Sequence, residues 1–363
     1  MAYNFNNDLL LGEADQKLAK EEFPNVFFAL NFPGLRSLFA PIDTRANLSK
    51  TRSRRWGVTA VLLATLALML AAAEVLLHHY PKELVKAIAG VGAIAGIASV
   101  LIGFFGIMFH ERKQRWLADR LATERIRQFH FQTYIAYADR IVAGASDESA
   151  ARAYLSDRNA ELTKFNADII EKVDETLHHL VETEDPGYGA LYRDKSPELA
   201  PGAKHLDQYF RAYSILRFDR QIGYCDLILR DSGAIWKYAP VQQARILGAI
   251  ALVCVFGILL LHGLVLLGVG ADIAWMKGQA IHVAAVWAAI IALAARTLEE
   301  GFQPETEIER MRQYRLSLKR IYARFNAATS PDEKLAAMRD LETLSYEEMV
   351  LFLRTNSEAR FVM

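Results

Sequence analysis

Cysteine is scarce in this chain: of 363 residues, two are cysteine, Cys225 and Cys254. Cys225 lies in a polar stretch and Cys254 inside an apolar run, so a disulfide between them is implausible, and a disulfide-built secreted fold with it. The chain has no Walker loop, no HExxH pair and no cysteine–histidine cluster with metal spacing, so neither an enzyme nor a metal or other cofactor is expected. The adjacent His178 and His179 would point about 100° apart on a helix, which is poor geometry for chelation. The first residues carry no basic segment followed by an apolar core, so no cleaved signal peptide is expected. The polar middle also lacks the period-2 alternation of a strand.

What the chain has in quantity is long charge-free runs. From Trp56 the first run continues to a break at Glu74. After a turn at His78–Pro81, Ala87 to Phe109 is free of charge altogether. Arg245 to Ala271 is a third run, interrupted by His262, and a fourth lies between Ala280 and Ala295. A bilayer core takes about 20 apolar residues per helix, and each run reaches that length, the fourth when counted from Ala274. These segments are apolar on all faces, unlike the helices of a soluble hairpin. The expectation is an all-α membrane protein with four transmembrane helices, paired as two hairpins, and a helical cytoplasmic domain. The first span would serve as an uncleaved signal.

Orientation follows from lysine and arginine near the span ends. Arg45, Lys50, Arg52, Arg54 and Arg55 precede the first span, and Arg112, Lys113 and Arg115 follow the second. Lys237 and Arg245 precede the third span and Arg296 follows the fourth, whereas the short turns carry only Lys82, Lys86 and Lys277. Both termini and the middle are therefore expected on the cytoplasmic side, in a bacterium at the inner membrane.

Five segments are expected. Residues 1–55 form a cytoplasmic arm, in which the aromatic stretch Phe23–Pro41, broken by three prolines, cannot be one continuous helix and packs on the soluble domain or at the membrane interface. Residues 56–143 hold the first hairpin and a helix that extends the second span as one rod. Residues 144–240 form a helical domain, with helices over 148–181 and 203–229. Residues 241–327 hold the second hairpin and a basic helix, and residues 328–363 form a helical tail that restarts at Ser330-Pro331. The two halves read as a coarse duplication of parallel repeats.

Within the spans, Gly92 and Gly96 form one small-residue pair, and Ser99 and Gly103 belong to a second row, spacing that lets helix backbones approach in lipid. Glycine is common in membrane helices in any case. Glu74 either lines a cation path in an oligomer or reaches the headgroups. His262 is either a functional group within a span or a neutral histidine bonded to a neighbouring helix. On the cytoplasmic helices, Arg120, Arg127, Arg217, Arg220, Arg312 and Arg315 are interleaved with aromatic residues. That pattern suits phosphates and stacked bases, and it equally suits acidic lipid headgroups.

The face Trp116-x3-Arg120-x3-Glu124-x2-Arg127, following a span pair, resembles the two-transmembrane effectors associated with bacterial nucleotidyltransferases, the SLATT group. The end of the chain, from Glu307-Ile-Glu-Arg-Met-Arg-Gln-Tyr-Arg through Glu348-Met-Val-Leu-Phe-Leu-Arg, resembles the C-terminus of four-span members. The resemblance covers residues 57–140 and 240–363. It implies an antiphage effector that oligomerises into a pore and depolarises the membrane. A partner nucleotidyltransferase would make the controlling nucleotide or short oligonucleotide, as in Hailong-type systems, where the oligonucleotide holds the effector silent. With no fused SLOG or TIR domain evident, the sensor would be the helical middle or another chain. The partners implied are a homo-oligomer, membrane lipid and the nucleotide, with no duplex DNA. The competing reading is a non-conducting scaffold that recruits a cytoplasmic partner, and a secondary transporter is a third.

Overall fold

The computed structural model describes residues 5–182, 197, 199–200, 202–230, 239–271 and 278–359. Among them all regular structure is helical. The helices are α1 (Glu13–Glu22), α2 (Phe27–Leu30), α3 (Pro33–Ala73), α4 (Lys82–Ala136), α5 (Ala138–Gly144), α6 (Glu148–Phe165), α7 (Val173–Glu182), α8 (Leu206–Tyr213) and α9 (Arg220–Leu229). They continue with α10 (Pro240–Gly270), α11 (Gln279–Phe302), α12 (Pro304–Ala327) and α13 (Pro331–Glu358). Among the described residues, four helices are long and apolar enough to cross a membrane, within Phe27–Leu77, Lys82–Gly103, Pro240–Gly270 and Gln279–Ala327. The expected loop between Glu182 and Pro201, the Trp275–Lys277 segment and the Phe361–Met363 tail lie largely or wholly outside the described residues.

The helices divide into two compact units. The first comprises residues 1–49, 114–229 and 309–357, and the second residues 50–113, 230–308 and 358–363. The aromatic arm belongs to the core of the first unit: Phe23, Val26, Phe32 and Phe39 are almost fully buried there. The arm does break, between α2 and α3, but α3 then runs through Pro41 without interruption. Proline removes one hydrogen bond near the start of a long helix, and the buried Leu35, Phe39 and Ile42 hold that segment in place.

Two expected long helices are interrupted by π-helical turns. The helix over 148–181 is α6 and α7 with a π turn at Asn166–Ile170, and the helix over 203–229 is α8 and α9 with one at Ser214–Asp219. The rod beyond the second span ends earlier than expected, at a break at Tyr137 between α4 and α5. The start of α13 is a capping box: Ser330 Oγ accepts from the Glu333 N–H at 3.2 Å, and Glu333 Oε2 accepts from the Ser330 N–H at 3.3 Å.

In the second unit many of the large apolar side chains are exposed. Ile94, Val100, Val253 and Leu266 are each about 70% exposed, which is normal in lipid and costly in water. Small residues mediate contact between α3 and α4. The Ser99 hydroxyl donates to the Ala60 carbonyl at 2.9 Å. A Cβ on Gly92 would meet Leu70 at 3.4 Å, and one on Gly96 would meet Ala67 at 3.5 Å, whereas one on Gly103 would meet nothing within 4 Å. Leu247 and Ala251 of α10 pack with Ala295, Leu298 and Phe302 of α11. Trp287 of α11 donates its indole N–H to the Met69 carbonyl of α3 at 2.9 Å.

Candidate functional site

The densest charge in the first unit is buried. Residues three and four apart on a helix share a face, so Arg120, Glu124 and Arg127 of α4 meet as the sequence spacing predicts. Glu124 Oε1 lies 2.6 Å from Arg120 Nη2 and accepts from Arg127 Nη1 at 2.7 Å. Arg127 Nε then reaches Asp8 Oδ2 at 2.7 Å, and the Arg127 guanidinium stands 5.5 Å from the Phe39 ring centre. Asp8 comes from the short 3₁₀ turn Phe5–Leu9 and is 1% exposed.

The π turn Ser214–Asp219 brings Arg217 to the other side of Asp8, with Nη1 at 4.0 Å. Arg217 makes a two-pronged bond to Glu342 of α13, Nε to Oε1 at 2.8 Å and Nη2 to Oε2 at 2.9 Å. The Tyr213 hydroxyl donates to Glu342 Oε1 at 2.8 Å, and the Phe131 ring centre lies 4.8 Å from the Arg217 guanidinium carbon. The network thus balances three arginines, Arg120, Arg127 and Arg217, against three carboxylates, Asp8, Glu124 and Glu342. Burial pushes the Glu124 carboxyl up, but Arg120 and Arg127 outweigh it and hold it at about 2. A balanced network of this kind is destabilised when one member is removed and its partner's charge is left buried.

The structure therefore brings three of the six predicted arginines together, and chiefly with one another's counter-charges. Arg315 Nε pairs with Asp226 Oδ1 at 2.6 Å, Arg312 is largely exposed with Glu309 at 4.0 Å, and Arg220 is half-buried with its Nε lacking a hydrogen-bond partner. Asp8 and Glu342 were not anticipated from the sequence. For Glu342 a signal existed, because it occupies a position of the apolar stripe formed by Leu335, Met338, Leu341 and Met349.

Two further titratable groups lie in this core. His130 is 4% exposed, and burial, reinforced by Arg158, Arg217 and Arg36, lowers it to about 3. Its imidazole is therefore neutral at physiological pH. Cys225 is fully buried, and burial, with Asp226 adding to it, pushes its thiol up to about 12, so it stays protonated near neutral pH.

Of the groups singled out in the spans, His262 Nδ1 lies 2.9 Å from the Ile258 carbonyl one turn back on its own helix, rather than on a neighbouring helix. Glu74 is exposed in the 3₁₀ turn Glu74–His79. Among the described residues no cluster of three metal-ligating side chains occurs, and His178 instead pairs with Glu182 at 3.0 Å. Comparison with protein-family models, with curated proteins and with solved structures finds no match.

Proposed function

We propose that this chain is a bacterial inner-membrane effector of antiphage defence. In this reading the four apolar helices form two transmembrane hairpins, with the termini and the charged helical unit on the cytoplasmic side. Copies of the chain assemble into a pore that depolarises the membrane, under the control of a nucleotide or short oligonucleotide bound to the helical unit. The observation that carries it is helix continuity. α3 contributes Phe39 to the first unit's buried core and Leu70 to the apolar stretch, and α4 likewise contributes Phe129 and Gly92. A rearrangement of the charged core is thereby coupled through unbroken backbone to the spans.

A two-state gate needs about 5.5 kcal/mol of differential binding to pass from mostly closed to mostly open. Two or three charge-assisted contacts of about 1.5–3 kcal/mol each supply that. Arg120, Arg220, Arg312 and Arg315 retain access to solvent, while Arg127 and Arg217 hold the core together.

The test is expression in bacteria with a membrane-potential dye, with and without a co-expressed partner nucleotidyltransferase. Depolarisation whose extent depends on the partner is the expected result. An unchanged potential in both conditions would reject the pore. The second reading, a non-conducting anchor, draws on the absence of charge from Ala87 to Phe109. It predicts no depolarisation, but loss of a cytoplasmic partner from the membrane fraction when the chain is deleted.

A further inference from the structure

The first unit contains a cavity of about 400 Å3 whose lining includes no member of the buried ion network. Arg125 of α4 and Tyr346 of α13 form part of its wall, together with residues of the π turn Asn166–Ile170 and of α7. Arg125 is only 4% exposed. Its Nη1 donates to Gln128 Oε1 at 3.0 Å, and its guanidinium stands 5.3 Å from the Tyr346 ring centre. Among the described residues no carboxylate pairs with it.

Arg125 is unusual in this. Arg127, Arg217 and Arg310 are equally buried, and each faces a carboxylate: Asp8, Glu342 and Glu348 respectively. Arg158, also without a carboxylate, is met by the carbonyls of Phe28, Ala29 and Asn31 at 3.0–3.4 Å and by the Phe32 ring at 3.8 Å. A guanidinium cannot shed its proton to escape burial. Arg125 is therefore a fixed buried cation, on the wall of an open cavity, whose counter-charge its packed neighbours do not supply.

The rest of the lining specifies the occupant. The Tyr346 ring and the side chains of Ile169 and Leu180 supply apolar surface, and Lys172 adds a second cation. Asp168 and Glu175 line the same space, where their carboxylates accept hydrogen bonds from hydroxyl or amino donors. A few hundred Å3 is the size of ordinary small-molecule pockets. π-helical turns, moreover, commonly occur where a helix serves a site.

We propose that this cavity binds a small organic anion. Its single carboxylate or phosphate group would sit on Arg125, its body against Tyr346 and Leu180, and its polar edge against Asp168 and Glu175. The inference goes beyond the pore reading and is independent of it, because binding is measured in solution and conduction across a membrane, and either can fail alone.

The experiment is calorimetric titration of the full chain in detergent, at low salt, with phenyl phosphate, benzoate and inorganic phosphate. One equivalent of phenyl phosphate or benzoate per chain is expected to bind and to raise the melting temperature, with inorganic phosphate weaker. Arg125→Gln is expected to weaken binding at least about tenfold, and Arg152→Gln, an exposed position of α6 outside the cavity lining, to leave it unaltered. Should Arg125→Gln fail to fold, Lys172→Glu at the exposed rim decides the matter, with an expected loss of about threefold or more. Absence of binding by all three probes would overturn the proposal. So would unchanged affinity in Arg125→Gln, or in Lys172→Glu where that variant stands in for it.

Discussion

Tyr134 and Tyr209 exchange hydrogen bonds across a stacked pair of rings. The ring centres are 4.5 Å apart and the planes 2° from parallel. The Tyr134 hydroxyl donates to the Tyr209 carbonyl at 3.0 Å, and the Tyr209 hydroxyl donates to the Tyr134 carbonyl at 2.9 Å. The pair pins α8 to α4 with apolar area and polar complementarity together, and it fixes the register between them. Burial pushes both phenols well above their ordinary range, so both stay donors at every accessible pH.

Tyr134→Phe or Tyr209→Phe is expected to cost about 1–2 kcal/mol, since each removes one donor and leaves a buried carbonyl short of a partner. The stacked rings survive in both variants. The double variant should cost less than the sum of the singles if the two bonds reinforce one another. Thermal unfolding of the full chain in detergent measures all three, and singles within experimental error of the parent would show that the hydroxyls are solvated rather than paired.

The Arg217–Glu342 pair should couple in the same sense but more strongly. Glu342→Leu alone leaves Arg217 buried beside Phe131 with only Asp8 at 4.0 Å, and a loss of about 3–5 kcal/mol is expected. Pairing it with Arg217→Met removes both charges and should recover much of that loss. Midpoints of denaturant unfolding for the two singles and the double make the comparison. A double variant no better than the worse single would mean that the arginine is not the group stranded by Glu342→Leu.

How much of this was legible beforehand depends on whether the information was local. The four apolar runs needed nothing beyond their own length, and the Arg120–Glu124–Arg127 face needed only helical spacing. Asp8 reaches that face, and Glu342 reaches Arg217, from segments more than a hundred residues distant in sequence, and no local pattern foretells such pairing. The π turns at Asn166 and Ser214 were hidden because one inserted residue shifts an apolar stripe by only part of a turn. The third apolar run opens at Arg245 while α10 itself opens at Pro240, because hydropathy marks where apolar residues begin, whereas a helix opens where its first turn can form. Pro41 misled because a proline early in a long helix forfeits a single bond that tertiary packing makes good.

Acid should unfold the first unit in two windows. His130 has a folded value of about 3 against an ordinary 6.5, so the unfolded chain takes up that proton first. The stability it contributes is complete above pH 6.5 and is lost as pH falls from there toward 3. Glu124, at about 2 against 4.5, adds a second loss that begins only below pH 4.5. His130→Asn should therefore flatten the stability profile between pH 6.5 and 4.5 and leave the steeper acid limb, while Glu124→Gln should remove the latter at the cost of lower stability at neutral pH. Melting temperature against pH for the parent and both variants tests the assignment. An unchanged slope above pH 4.5 in His130→Asn would assign that sensitivity to another group.

The small residues of the second span divide by what they touch. Gly92 and Gly96 lie against Leu70 and Ala67 of α3, where a Cβ would meet atoms at 3.4 and 3.5 Å, and Ser99 bonds the Ala60 carbonyl. Alanine fits at either glycine in ordinary van der Waals contact, but a branched side chain must push α3 away. Gly103 has open space around it on the same helix. Gly96→Ile is thus expected to destabilise the purified chain by about 1–3 kcal/mol, Gly96→Ala to be nearly silent, and Gly103→Ile to leave the unassembled chain unaffected. If Gly103 instead faces another copy in an oligomer, Gly103→Ile should lower the oligomer size seen by cross-linking in membranes without lowering the melting temperature of the detergent-dispersed chain. Loss of melting temperature without loss of oligomer would place the contact of Gly103 inside one chain and exclude it from the assembly surface.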